Sequence, residues 1–152
     1  MSSTLAKINL IAFDMKSEKL KRNLLSCDDW EERYLYIIQL GNQQPIMAEA
    51  DKTSDTVIHG CQSQVWVKVD INSSGEFSFI GDSDASLVKG LMAMVFMVYE
   101  GKTAEAILEF DIHGFFDELQ LHHYLTPTRS QGLVAMVEAV RAKALNTLVV
   151  EC

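Results

Sequence analysis

Val65-Trp66-Val67-Lys68-Val69-Asp70-Ile71 carries the pattern on which the fold turns. Val65, Val67, Val69 and Ile71 alternate with Trp66, Lys68 and Asp70, the period of two expected of a strand with one buried face. Asn72-Ser73-Ser74-Gly75 follows as a turn cluster, and Phe77, Phe79 and Ile80 supply a returning strand. On the near side, Val57 and Ile58 are placed to add a short third strand. Hairpins need only short connections, so a small antiparallel sheet is the economical reading.

Away from this centre the apolar period becomes helical. Upstream, residues 16–25 place Leu20 and Leu24 four apart. A second helix starts at Trp30, with Asp29 as its N-cap, Glu32 three residues later and Gly41 as the expected stop. Trp30, Tyr34, Ile37 and Ile38 share one face of it, and core packing explains them. Residues 42–54, with Pro45 and many polar side chains, read as a loop. Downstream, Gly81-Asp82-Ser83-Asp84 is expected to leave the sheet and cap a helix bearing Leu87, Val88, Leu91, Val95 and Val98. Gly101 ends that helix, and Thr103 caps a short one through Leu108. Phe115, Phe116, Leu119 and Leu121 belong to further short segments. Pro127 and Thr128 lead into a final helix with Leu133, Met136, Val137, Val140 and Ala144 on one face. The expectation is one α+β domain over residues 1–152, a small antiparallel sheet covered by helices, with about the first 15 residues loosely held.

Composition narrows the function. A chain of 152 residues with 48% hydrophobic content can bury a core without disulfides or metal. The formal charge of −8 argues against a nucleic-acid surface, which needs clustered Lys and Arg, and suits docking on a partner with positive patches. No apolar run reaches the roughly 20 residues of a membrane helix. The best candidate, Leu87 to Tyr99, contains Lys89 and Gly90. Met1 to Phe13 has an apolar patch, a single Lys and no clear cleavage site, which gives a secretory leader little support. Cys27, Cys61 and Cys152 are odd in number and widely spaced, a pattern that suits free thiols and a cytoplasmic, reducing compartment.

Cys61 is distinguished by its setting, His59-Gly60-Cys61-Gln62-Ser63-Gln64, where a loop enters the strand. Gly60 permits backbone angles that present a thiol at a loop tip. His59, or an Arg brought in by the fold, is positioned to favour the thiolate, the form that acts as nucleophile. The competing reading is an inert cysteine packed at a strand start. Cys27 and Cys152 lack a neighbouring Gly or basic group. His59, His113, His122 and His123 show no metal-ligand spacing, and the adjacent pair His122-His123 would diverge by about 100° on a helix. No phosphate-cradling glycine loop is present. Arg129, in Thr126-Pro127-Thr128-Arg129-Ser130, stands at a helix entrance, the end that cations do not favour. Either an internal carboxylate or a substrate group would account for it.

Three segments together resemble the SufE/CsdE family of sulfur-acceptor proteins. They are Gly60-Cys61-Gln62-Ser63-Gln64-Val65-Trp66; Gly81-Asp82-Ser83-Asp84-Ala85 followed by Val88-Lys89-Gly90-Leu91; and Leu125-Thr126-Pro127-Thr128-Arg129-Ser130-Gln131-Gly132-Leu133. The resemblance runs from Trp30 to Ala144. It implies a compact α+β domain that accepts sulfur from the persulfide of a pyridoxal-phosphate (PLP)-dependent cysteine desulfurase onto Cys61, speeds that enzyme, and passes the sulfur to an iron–sulfur scaffold or another acceptor. It implies an accessory protein with no cofactor of its own, acting as monomer or homodimer. Arg129 matches the family's S/T-R-S-x-G-L segment, and Asp84 the second Asp of its G-D-S motif, both implied to lie near the cysteine loop. Of the family's two branches, Gln62-Ser63-Gln64, Asp82-Ser83-Asp84 and Leu125-Thr126-Pro127 lean toward SufE. A stand-alone thiol redox enzyme would call for a resolving cysteine nearby, and none is close in sequence. An iron–sulfur scaffold needs several thiolates. An adaptor that only docks on the desulfurase would leave Cys61 incidental.

Overall fold

The computed structural model describes residues 16–150. The expectation for the first 15 residues therefore lies outside the described part. Helix α1 occupies residues 16–25 and buries Leu20 and Leu24. Helix α2 spans Trp30–Asn42, and the Asp29 carboxylate accepts from Glu32 N at 2.9 Å as its N-cap. The Glu32 carboxylate accepts in turn from Asp28 N at 2.9 Å, a capping-box exchange one residue early.

Gly41 does not stop α2. The helix continues through Asn42, and Gly41 is instead the point of contact with a later helix, where an added Cβ would lie 2.7 Å from Gly90 N. Across the contact, a Cβ on Gly90 would overlap the carbonyl of Ile37. The two glycines let the backbones approach closely.

The hairpin forms as read. Strands β1 (Val65–Ile71) and β2 (Phe77–Ser83) pair antiparallel from Val65↔Ser83 to Ile71↔Phe77. Val65, Val67, Phe77 and Phe79 are buried, but Val69 is half-buried and Ile71 is 45% exposed, so the helical cover stops short of the hairpin tip. The expected third strand is a single bridge, Val57↔Trp66, held by Ile58 N to Val65 O and Val67 N to Thr56 O, each 2.8 Å.

Gly81, Asp82 and Ser83 do not leave the sheet to cap a helix. They continue β2, because Val67, Trp66 and Val65 opposite them still offer ladder partners. Helix α3 (Ser86–Tyr99) begins after Ala85, without a side-chain cap. Asp82 accepts from Lys52 at 2.8 Å and pairs with Lys89 at 3.4 Å. The Lys52 hydrogen bond, working against burial, holds this carboxyl below its ordinary range. Lys52 also lies over the Trp66 ring, 5.0 Å from its centre.

Helix α3 is the centre of the molecule. Leu91, Met92, Ala93, Met94, Val95 and Phe96 are consecutive and all buried, as in a helix covered on every side. Its Phe96 stacks on Phe79 of β2 at 5.2 Å. After Gly101 come α4 (Ala104–Glu109), capped by Thr103, then α5 (Ile112–Glu118) and α6 (Leu121–Tyr124). Helix α7 (Pro127–Val150) buries the five residues expected of it, Leu133, Met136, Val137, Val140 and Ala144. The architecture is α+β, with a two-stranded sheet among the described residues. No helix among them is long and apolar enough to cross a membrane.

Candidate functional site

Two elements are brought together by α3, the turn of residues 59–64 ahead of β1 and the first turns of α7. Gly60 has φ +91°, the left-handed region that favours glycine, and this turn aims Cys61 at α7. The Cys61 thiol is half-buried and donates to the Gly132 carbonyl at 3.6 Å. Around it opens a cleft of about 340 Å³. Cys61, Gln62 and Ser63 form one wall, Val88 and Leu91 of α3 the floor, and Thr126, Thr128, Arg129, Gly132, Leu133 and Met136, at the start of α7 and along it, the other wall.

Asp84 serves the loop rather than a helix start. Its Oδ1 accepts from Gln64 N at 3.0 Å, and its own N donates to Gln64 O at 3.3 Å. The pair closes the C-terminal end of the cysteine loop onto the sheet. Arg129 lies at the rim of the cleft, exposed, and its N–H donates to Thr126 Oγ1 at 3.3 Å, which caps α7. No carboxylate among the described residues pairs with the Arg129 guanidinium. The internal ion-pair explanation for its position therefore has no support. Arg129 and Thr126 also border a neighbouring apolar groove with Tyr34, Ile38 and Leu87.

His59 is exposed on the turn. Burial pushes the Cys61 thiol above its ordinary pKa, and no cation among the described residues offsets it. The S–H bond to Gly132 acts in the same direction, since it favours the protonated form. Both effects favour the thiol over the thiolate in this arrangement. Cys27 sits at the α1–α2 junction, donates to Asn23 O at 3.4 Å and is likewise raised by burial. Among the described residues no group of three or more His, Cys, Asp or Glu could hold a metal ion.

The family model described as "SufE: Fe-S metabolism associated domain" matches residues 18–144. The chain belongs to the SufE family. Its membership ties the chain to iron–sulfur metabolism. The fold is also that of a hypothetical protein from Thermus thermophilus solved in solution, with a TM-score of 0.72 and 23% identity over 88% of this chain and 96% of the other.

Among the lining residues of this SufE-family cleft, the sequence marks Leu133 and Met136 only as core positions of the last helix and Gly132 only as part of the family segment. Gly132, Leu133 and Met136 share a helix face with Arg129, at spacings of three, four and seven. That periodicity was the available signal: the face that carries the exposed Arg is the face turned to Cys61.

Proposed function

We propose that this SufE-family protein is a sulfur carrier of one domain, in which Cys61 accepts sulfur from a PLP-dependent cysteine desulfurase and delivers it for iron–sulfur cluster assembly. The observation that carries this reading is the Cys61 thiol on a left-handed glycine turn, half-buried at a cleft of mixed apolar and polar lining and, among the described residues, without a second cysteine beside it. In the transfer the Cys61 thiolate attacks the terminal sulfur of the donor persulfide. The donor S–S bond breaks, its cysteine leaves as thiolate, and the new S–S bond carries the terminal S–H onto Cys61. Electrons balance without an outside oxidant. Delivery repeats the exchange with an acceptor thiolate, and accepting sulfur frees the desulfurase for its next turnover.

Because burial and the Gly132 carbonyl favour the neutral thiol, the loop swings on Gly60 before attack. Arg129 at the rim is the candidate cation for the opened thiolate or for a carboxylate of the partner, while Asp84 anchors the loop's far end. The exposed His59 is free to meet the partner. The compartment is the cytoplasm, and neither nucleic acid nor membrane is a partner.

The decisive experiment incubates the protein with a cysteine desulfurase, pyridoxal phosphate and L-cysteine, then takes an intact mass. The expected result is a dithiothreitol-reversible gain of one sulfur on Cys61, absent in Cys61→Ser together with the stimulation of the desulfurase. Stimulation that survives Cys61→Ser would establish a docking adaptor instead.

A further inference from the structure

Gly132 lies in the second turn of α7, inside a 24-residue helix where glycine is a poor choice compared with alanine. At Gly41 and Gly90 the backbone leaves no space for a Cβ. At Gly132 it does. An added Cβ would lie 3.6 Å from Cys61 Sγ and 3.9 Å from Cys61 Cβ, ordinary contact distances. Neither the helix nor the thiol form of Cys61 therefore requires a glycine here. A longer side chain on Cys61 that extends toward Gly132 does require one. An S–S bond is about 2.05 Å long, so a second sulfur on the Gly132 side of Sγ would fall well inside contact distance of that Cβ. Beside this slot Val88, Leu91, Leu133 and Met136 supply apolar contacts for a sulfur, while Gln62, Ser63, Thr126, Thr128 and Arg129 make up the polar part of the cleft.

We propose that Gly132 is a positioning residue for the persulfide. Its missing Cβ leaves the slot in which the terminal sulfur on Cys61 lies, turned away from solvent between transfers. This inference rests on the carrier reading and specifies the state that the cleft is shaped for. Loading replaces the thiol hydrogen, so the bond to Gly132 O is lost, and the side chain turns to set the terminal sulfur beside the Gly132 Cα, clear of that carbonyl.

The test compares wild type, Gly132→Ala and Gly132→Ser, each loaded either by desulfurase with L-cysteine or by inorganic polysulfide. In the polysulfide arm the Cys61 thiolate takes one sulfur and leaves a polysulfide shorter by one. Excess donor is removed, dithiothreitol is added, and loss of the Cys61 adduct is followed by peptide mass. Reactivity of the unloaded thiol with an aromatic disulfide serves as the reference. In the variants the adduct should decay about tenfold faster, in line with overpacking at a tight site, with unloaded-thiol reactivity within about twofold of wild type. Failure of a folded variant to load from either donor, with its thiol still reactive, supports the slot equally. Equal adduct lifetimes overturn the proposal, as does a parallel rise of adduct decay and thiol reactivity, which would mean that the loop had merely opened. Wild type that loads from polysulfide but from no desulfurase sinks the carrier reading and leaves the slot to be judged by the polysulfide arm. Wild type that loads from neither sinks both.

Discussion

Burial at Cys61 favours the neutral thiol, and the pH dependence of that state is measurable. Burial raises the folded pKa above the unfolded one, so the associated stability is complete below the unfolded thiol pKa and is lost as pH rises through it toward the folded value. Wild type should lose stability relative to Cys61→Ser as pH climbs past about 8.5, the ordinary thiol value. Denaturant midpoints across the alkaline range check this, with Cys27 common to both proteins. Identical pH profiles would mean that Cys61 is not held as a buried thiol. Asp84 offers a second residue-scale test. Asp84→Ala removes one hydrogen bond from Gln64 N, worth about 1 kcal/mol locally, and should speed amide exchange at Gln64 roughly fivefold while global unfolding barely moves. Unchanged exchange would show that Asp84 does not pin the loop.

Among elements, the α2–α3 crossing is the tightest packing described. Gly90→Ala should cost about 1–3 kcal/mol, since the new Cβ meets the Ile37 carbonyl and one of two backbones has to shift. Equilibrium denaturation measures it, and a cost near zero would contradict the close approach. The same pair of elements explains where the sequence could and could not be read. The start of α2 was legible because Asp29 and Glu32 are local devices. Its end was not, because Gly41 serves a contact with the distant Gly90, and a stop signal and a packing signal use the same residue. Gly81-Asp82-Ser83 misled for a similar reason. Polar residues after a strand read as a cap, yet the ladder partners across β1 and the lysines at 52 and 89 claim them first. In the candidate site, the glycine turn at Gly60 that presents Cys61 is legible from local context. The role of Asp84 toward Gln64, and the helix face that closes the cleft, depend on long-range register that no local pattern encodes.

For the whole molecule, one buried apolar cluster runs from Leu20 on α1 through both strands and α3 to Ala144 on α7. A shared core of this kind unfolds as a unit. The two tryptophans report from different elements: Trp30 stacks on Tyr124 at 3.9 Å between α2 and α6, and Trp66 lies on β1. Single-tryptophan variants Trp30→Phe and Trp66→Phe should therefore give coincident denaturation curves by fluorescence and by circular dichroism. A Trp30 signal lost at lower denaturant would show α2 and α6 detaching before the sheet. With its charge of −8, the surface around this core also makes association with a positively charged partner face weaken as salt is added.

The bond from the Cys61 thiol to the Gly132 carbonyl has a consequence for which collisions count. A small oxidant meets this molecule far more often than a large partner does, and chemistry alone would not tell the two apart. On the proposed carrier reading, gating would. Reaction through the swung-out loop scales with the fraction of molecules in which it is open, and only a reagent that binds the open form can raise that fraction. A diffusing peroxide has no surface with which to do so, whereas a docked protein has. Selectivity here is a matter of who can hold the door, and it operates before any sulfur is exchanged.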